Sequence, residues 1–129
     1  MDYPQYNICF NLDITELLAE IKKKAFPFNY SMIYLSTLSA NQIEEFRYRI
    51  RDGNVVLHEA IHPAFTDMDD GDDYFKLVVV DMESTLSGFI GVAKAKSESK
   101  WPPPKVVVIY LTLSVSKQNP GFYTGVFWF

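Results

Sequence analysis

Two histidines four residues apart with a glutamate between them, His58-Glu59-Ala60-Ile61-His62, are the residues of this chain whose types and spacing most directly suggest chemistry. On a helix this H-E-x-x-H pattern puts both imidazoles on one face to bind zinc, while the glutamate activates zinc-bound water. Glu83 lies downstream as a conceivable third ligand. The surroundings argue against a helix. Val55-Val56-Leu57 is β-prone and follows a turn pair, and Pro63 comes directly after the second histidine. In a strand the two histidines share a face but stand about 13 Å apart, too far for one metal with Zn–N bonds of about 2 Å. No metal ligand is assigned, and a zinc peptidase is retained only as an alternative.

No other site assembles itself from local pattern. A glycine-rich phosphate loop, a G-x-S-x-G elbow and a C-x-x-C pair are all missing from the 129 residues. The stretch from Asp67 to Asp73 holds five aspartates and one glycine, but without the twelve-residue spacing and terminal glutamate of an EF-hand it reads as a solvated loop. Tyr3, Tyr6, Tyr30, Phe65 and Tyr74 would suit a pocket lining, and equally a core.

Composition narrows the function classes. Sixteen acidic against 12 basic side chains leave a net charge of -4, which opposes the counterion release that drives nucleic-acid binding. No nucleic-acid partner is expected. No apolar run approaches the roughly 20 residues that span a bilayer, so no membrane partner is expected either. A single cysteine, Cys9, and an N-terminus without a signal-like pattern fit a reducing cytoplasm.

The elements that must position any site can be read from periodicity. Tyr6, Ile8, Phe10 and Leu12 alternate with polar residues as in a half-buried strand. Asp13-Ile14-Thr15-Glu16 offers a helix cap, with Leu17, Leu18 and Ile21 following and Lys22-Lys23-Lys24 at the C-terminal, dipole-negative end. A second helix is predicted from about Tyr30 to Ile43, its buried side formed by Met32, Ile33, Leu35, Leu38 and Ile43. Asp52-Gly53 predicts a hairpin between 46–51 and 55–57. A strand at 74–80 follows, then a third helix capped by Ser84 with Leu86, Phe89, Ile90 and Ala93 on one face. Gly88 and Gly91 weaken that helix. Trp101-Pro102-Pro103-Pro104 is a stiff linker into the apolar strand Val106 to Leu113. The expectation is an α/β fold, a mixed β-sheet with helices packed on one face.

Several phrases, in consistent order, resemble the chloramphenicol acetyltransferase family. Tyr6-Asn7-Ile8-Cys9-Phe10-Asn11-Leu12-Asp13-Ile14-Thr15 is similar to the family's first long strand and its turn into a helix. Phe28-Asn29-Tyr30-Ser31-Met32-Ile33-Tyr34 resembles the "F-Y-P-x-x-I-Y" opening of the second helix. Phe46-Arg47 resembles the "F-R" segment before the hairpin, and His62-Pro63-Ala64-Phe65-Thr66 the "x-P-x-F-T" strand. The resemblance implies an incomplete CoA-dependent acyltransferase fold over residues 1–113, followed by a divergent aromatic tail at 114–129. It further implies acetyl-CoA as cosubstrate with no bound cofactor, a small hydroxyl acceptor such as an antibiotic, and a homotrimer with sites between subunits. Carried over by position, Tyr6, Thr66 and Phe75 are the substrate-binding candidates.

Family members are similar in using a histidine of an H-H-x-x-x-D-G segment to deprotonate the acceptor hydroxyl, which then attacks the thioester; the resulting oxyanion needs a donor. No such segment occurs in these residues, and after Leu113 the family's P-W-x-S-F-T pattern is not followed. No catalytic residue is assigned. The expectation is a truncated, inactive acyltransferase, with a non-catalytic interaction module that keeps the family's oligomerisation surface as the alternative. The strand Val106 to Leu113 is expected to lack a neighbour, and the tail to act as an adhesive surface.

Overall fold

A computed structural model describes residues 11–68 and 76–99, together with the backbone of two later strands, Leu111–Val115 and Phe122–Phe127. The chain begins there with β1 (Asn11–Asp13) and passes at once into α1 (Thr15–Lys23). Asp13 Oδ1 accepts from both the Thr15 amide (2.9 Å) and the Thr15 hydroxyl (2.7 Å). These bonds, the side-chain one first, hold the Asp13 carboxyl below its usual range. The acidic residue thus tightens the turn, while Ile14 takes the cap position and its carbonyl receives the Leu18 amide. Ile14 and Ile21 carry the buried side of this stretch.

At its other end α1 stops in a Schellman arrangement: Phe26 N–H donates to the Ile21 carbonyl and Ala25 N–H to that of Lys22. Ala25 sits at the left-handed position with φ of 53°, where a Cβ is strained and glycine is not. Ala25→Gly is therefore expected to stabilise the protein by about 0.5–1 kcal/mol, read as a rightward shift of the urea midpoint; a leftward shift would contradict this account of the cap.

The second helix, α2 (Phe28–Asn41), starts two residues earlier than periodicity predicts because Pro27 supplies the preceding turn and accepts from Ser31. Its buried side is Ser31, Met32, Ile33, Tyr34 and Thr37, whereas Leu38 and Ile43 are exposed. Thr37 and Ser31 enter the interior because their hydroxyls bond back to the carbonyls of Ile33 and Pro27. Leu12, expected to face inward, is likewise half exposed, since alternation shows which side chains share a face and not whether that face is covered.

A short 3₁₀ turn (Glu44–Arg47) leads to the hairpin β2 (Tyr48–Arg51) and β3 (Asn54–Leu57). Asp52 and Gly53 both have positive φ, 51° and 77°, the two-residue turn whose twist matches the strands. A second antiparallel pair joins β4 (Ala64–Asp67) to β5 (Lys76–Val79), Ala64 opposite Val79 and Thr66 opposite Leu77. Then comes α3 (Leu86–Glu98). Its cap is Thr85, one residue beyond the predicted Ser84, and its hydroxyl accepts from Gly88 N–H at 3.1 Å. A Cβ on Gly88 would stand 3.1 Å from that same oxygen, so this glycine, read as a weakness of the helix, leaves room for its cap.

Ile33, Tyr34, Phe65, Val78, Val80, Phe89 and Ala93 form one buried cluster. It lies where α2 and α3 meet the β4–β5 pair. The Asp67 carboxylate accepts from the hydroxyl of Ser97 in α3, which adds a polar tie between the same layers.

Two later strands, β6 (Leu111–Val115) and β7 (Phe122–Phe127), complete a three-stranded sheet of order β1-β7-β6. The strand predicted to lack a neighbour thus has one among the described residues: the tail pairs with it from Leu111↔Phe127 to Val115↔Tyr123. The described pairings are all antiparallel and fall in three small sheets. The predicted linker at 101–104 lies outside the described residues.

Candidate functional site

The H-E-x-x-H residues occupy the segment between β3 and β4, which is neither helix nor strand. Its backbone groups are held partly by side chains from elsewhere and partly by backbone bonds at its two ends. Arg47 Nη1 donates to the carbonyls of His58 (2.9 Å) and Glu59 (3.2 Å), and the His58 amide donates to the Arg47 carbonyl (3.0 Å). Asn41, the last residue of α2, accepts from the Ile61 amide at 2.7 Å and donates to the Ile61 carbonyl at 2.9 Å. Arg47 Nε and His58 Nε2 are buried with no hydrogen-bond partner among the described residues.

His62 is also engaged. Its Nδ1 accepts from the Met82 amide at 3.1 Å and lies 3.9 Å from Asp81 Oδ1. The Met82 contact uses the Nδ1 lone pair. Lys96 from α3 donates to the Val79 carbonyl (3.0 Å) and pairs with Asp81 at 3.6 Å, a solvent-exposed ion pair worth about 0–1 kcal/mol. A non-helical segment cannot present the two imidazoles as a zinc-binding turn does. Among the described residues, no three His, Cys, Asp or Glu side chains converge as a metal site.

The same side chains hold the entrance to β4. Ile61, Pro63, Ala64 and Phe65 are buried, and the Pro63 carbonyl accepts from Val80 N–H at 3.1 Å. The Phe65 ring packs on that of Tyr30, centroids 5.6 Å apart and tilted by 59°. Phe65 is therefore a core residue, and the partly buried Tyr30 packs against the core. Thr66, the next residue of β4, is exposed, which places its hydroxyl on the surface side of the strand. Tyr6 and Phe75, the other two candidates, lie outside the described residues.

The preceding hairpin turns Arg49 to backbone. Arg49 Nη1 donates to the carbonyls of Phe46 (2.8 Å) and Tyr48 (2.6 Å). Burial first, and the neighbouring charge of Arg51 second, push its guanidinium below the ordinary arginine range. The F-R segment is thus a brace. Sequence reading missed Asn41 and Arg47 as anchors, because neither carries a local signature of the distant backbone it holds.

These elements together define an acetyltransferase fold. A solved chloramphenicol acetyltransferase superposes with a TM-score of 0.74, covering 98% of this chain and 78% of that one at 15% identity, a likeness of fold alone. The family model described as chloramphenicol acetyltransferase matches residues 3–118, and the chain belongs to the chloramphenicol acetyltransferase family. It is similar to the chloramphenicol acetyltransferase of Proteus mirabilis, with 35% identity over 54 residues, 42% of this chain and 25% of that protein. Its match to the chloramphenicol acetyltransferase of Klebsiella sp is 34% identical over 61 residues, 47% of this chain and 28% of that protein. The aligned stretch spans about a quarter of the length of these relatives. No helix among the described residues is long and apolar enough to cross a membrane.

Proposed function

We propose that this chain provides the acceptor-binding side of a chloramphenicol acetyltransferase-like acyltransferase and does not transfer acetyl groups by itself. The family match over residues 3–118 carries this reading. Of its candidate residues Thr66 lies among the described ones, an exposed hydroxyl next to the buried Phe65. Tyr6 and Phe75 belong to the same proposed pocket. Acetyl-CoA is the proposed acyl donor, a small hydroxyl compound such as chloramphenicol the acceptor, and a cytoplasmic homotrimer the proposed assembly.

Attack on the thioester requires a base for the acceptor hydroxyl and a donor for the oxyanion. The sequence contains no H-H-x-x-x-D-G segment. Of its two histidines, His62 already binds the Met82 amide through Nδ1, and the Nε2 of His58 is buried. With acetyl-CoA and chloramphenicol, the purified chain is expected to release thiol at the buffer rate, because loss of a general base alone forfeits about 10²–10⁴-fold. Chloramphenicol itself is expected to bind, and Thr66→Val to weaken it. Turnover that disappears in His58→Ala or His62→Ala would overturn the assignment of these residues as structural.

A further inference from the structure

We propose that Asn41 is a positioning residue for the acceptor strand, setting the register in which Thr66 faces outward; this rests on the reading of Thr66 as part of the acceptor site. Among the described residues the segment between β3 and β4 is tied by backbone bonds only at its ends, His58 N–H to the Arg47 carbonyl and the Pro63 carbonyl to Val80 N–H. Asn41 holds its middle and so fixes the length of chain between Ile61 and the first rung of β4. Its carboxamide copies a peptide group, accepting from Ile61 N–H at 2.7 Å and donating to Ile61 C=O at 2.9 Å. It does so from the end of α2, whose Ile33 and Tyr34 belong to the same core as Phe65 of β4. Glutamine is one methylene longer and aspartate has no donor, so neither reproduces both bonds.

From Ile61 the constraint passes along a short, stiff path. Pro63 has a fixed φ, and its carbonyl holds Val80 N–H; Ala64 and Phe65 follow, both buried. Close packing leaves these side chains no room to absorb a displacement. A shift of one residue would exchange the faces of Phe65 and Thr66 and turn the hydroxyl inward. Arg47 holds the His58 amide and the carbonyls of His58 and Glu59, which lie at the β3 end of the segment, farther along the chain from Thr66 than Ile61 is.

The test uses the full chain, with chloramphenicol as the probe and amide hydrogen exchange as the second readout. Asn41→Ala, in conditions where its circular dichroism matches the parent, is expected to weaken chloramphenicol binding on the order of tenfold. It is also expected to speed exchange together at Ile61 and at Phe65, Val78 and Val80, whose amides face the partner strand in the β4–β5 ladder and its extension through Pro63. Asn41→Asp keeps the acceptor for Ile61 N–H and is expected to recover part of both effects. Thr66→Val should weaken binding and leave exchange at Ile61 unchanged. Parent affinity in Asn41→Ala would overturn the positioning role while the acceptor-site reading stands. If the parent chain does not bind chloramphenicol, that reading falls, and exchange alone judges Asn41: acceleration reaching Phe65 and Val78 upholds the role, and acceleration confined to Ile61 overturns it. If Asn41→Ala does not fold, Asn41→Asp is judged by the same criteria.

Discussion

Phe89→Ala should destabilise the protein by about 3–5 kcal/mol, the usual cost of removing a buried phenylalanine. The ring is fully buried in α3 and lies 5.4 Å from that of Tyr34 in α2, tilted by 49°. It is therefore where the two helices meet over the β4–β5 pair, and its loss removes both transfer free energy and an aromatic contact worth about 0.5–1.5 kcal/mol. A domain of this size has about 5–15 kcal/mol of total stability, so the variant should be close to unfolding at room temperature. The urea midpoint measures this directly. Leu86→Ala, at a partly buried site on the same helix, provides a comparison with a smaller expected shift. Equal shifts for the two would mean that α3 does not dock through Phe89.

Deleting residues 122–129 should also destabilise the chain, by about 4 kcal/mol at a net value of roughly 0.5 kcal/mol per lost backbone bond. The segment includes β7, the middle strand of its sheet, joined by three rungs to β1 and by five to β6. Its removal would leave two edges with unpaired amides and carbonyls, and such edges recruit other chains. The tail reads as adhesive in the sequence, which would make its deletion relieve self-association. The pairing reverses that sign: the truncated chain should associate more, not less. Light scattering beside urea unfolding separates the two, because a truncated chain that is monodisperse and as stable as the parent would show that β7 contributes nothing to the fold.

Much of the scaffold was determined by local sequence. The Asp52-Gly53 turn specifies its hairpin because positive φ at two adjacent residues is permitted to few others. The buried residues of α3 recur at helical spacing, and Phe89, Ile90 and Ala93 are indeed its core face. The failure of His58 to His62 to form a helix was also legible, from the β-prone residues before it and Pro63 after it. The family resemblance rested on phrases that the family match at 3–118 then supported.

Tertiary structure decided what depends on partners distant in sequence. Leu38 and Ile43 are hydrophobic like Ile33 but have no layer over them among the described residues, and α2 buries Thr37, whose hydroxyl the helix itself satisfies. Asn41 looks like an ordinary polar residue at a helix end until Ile61, twenty residues on, is placed against it. The outward placement of Thr66 on β4, next to buried Phe65, follows from the packing of that strand against α2 and α3. Strand period 2 states that Phe65 and Thr66 face opposite ways; only the core, by accepting one of them, determines which side is out.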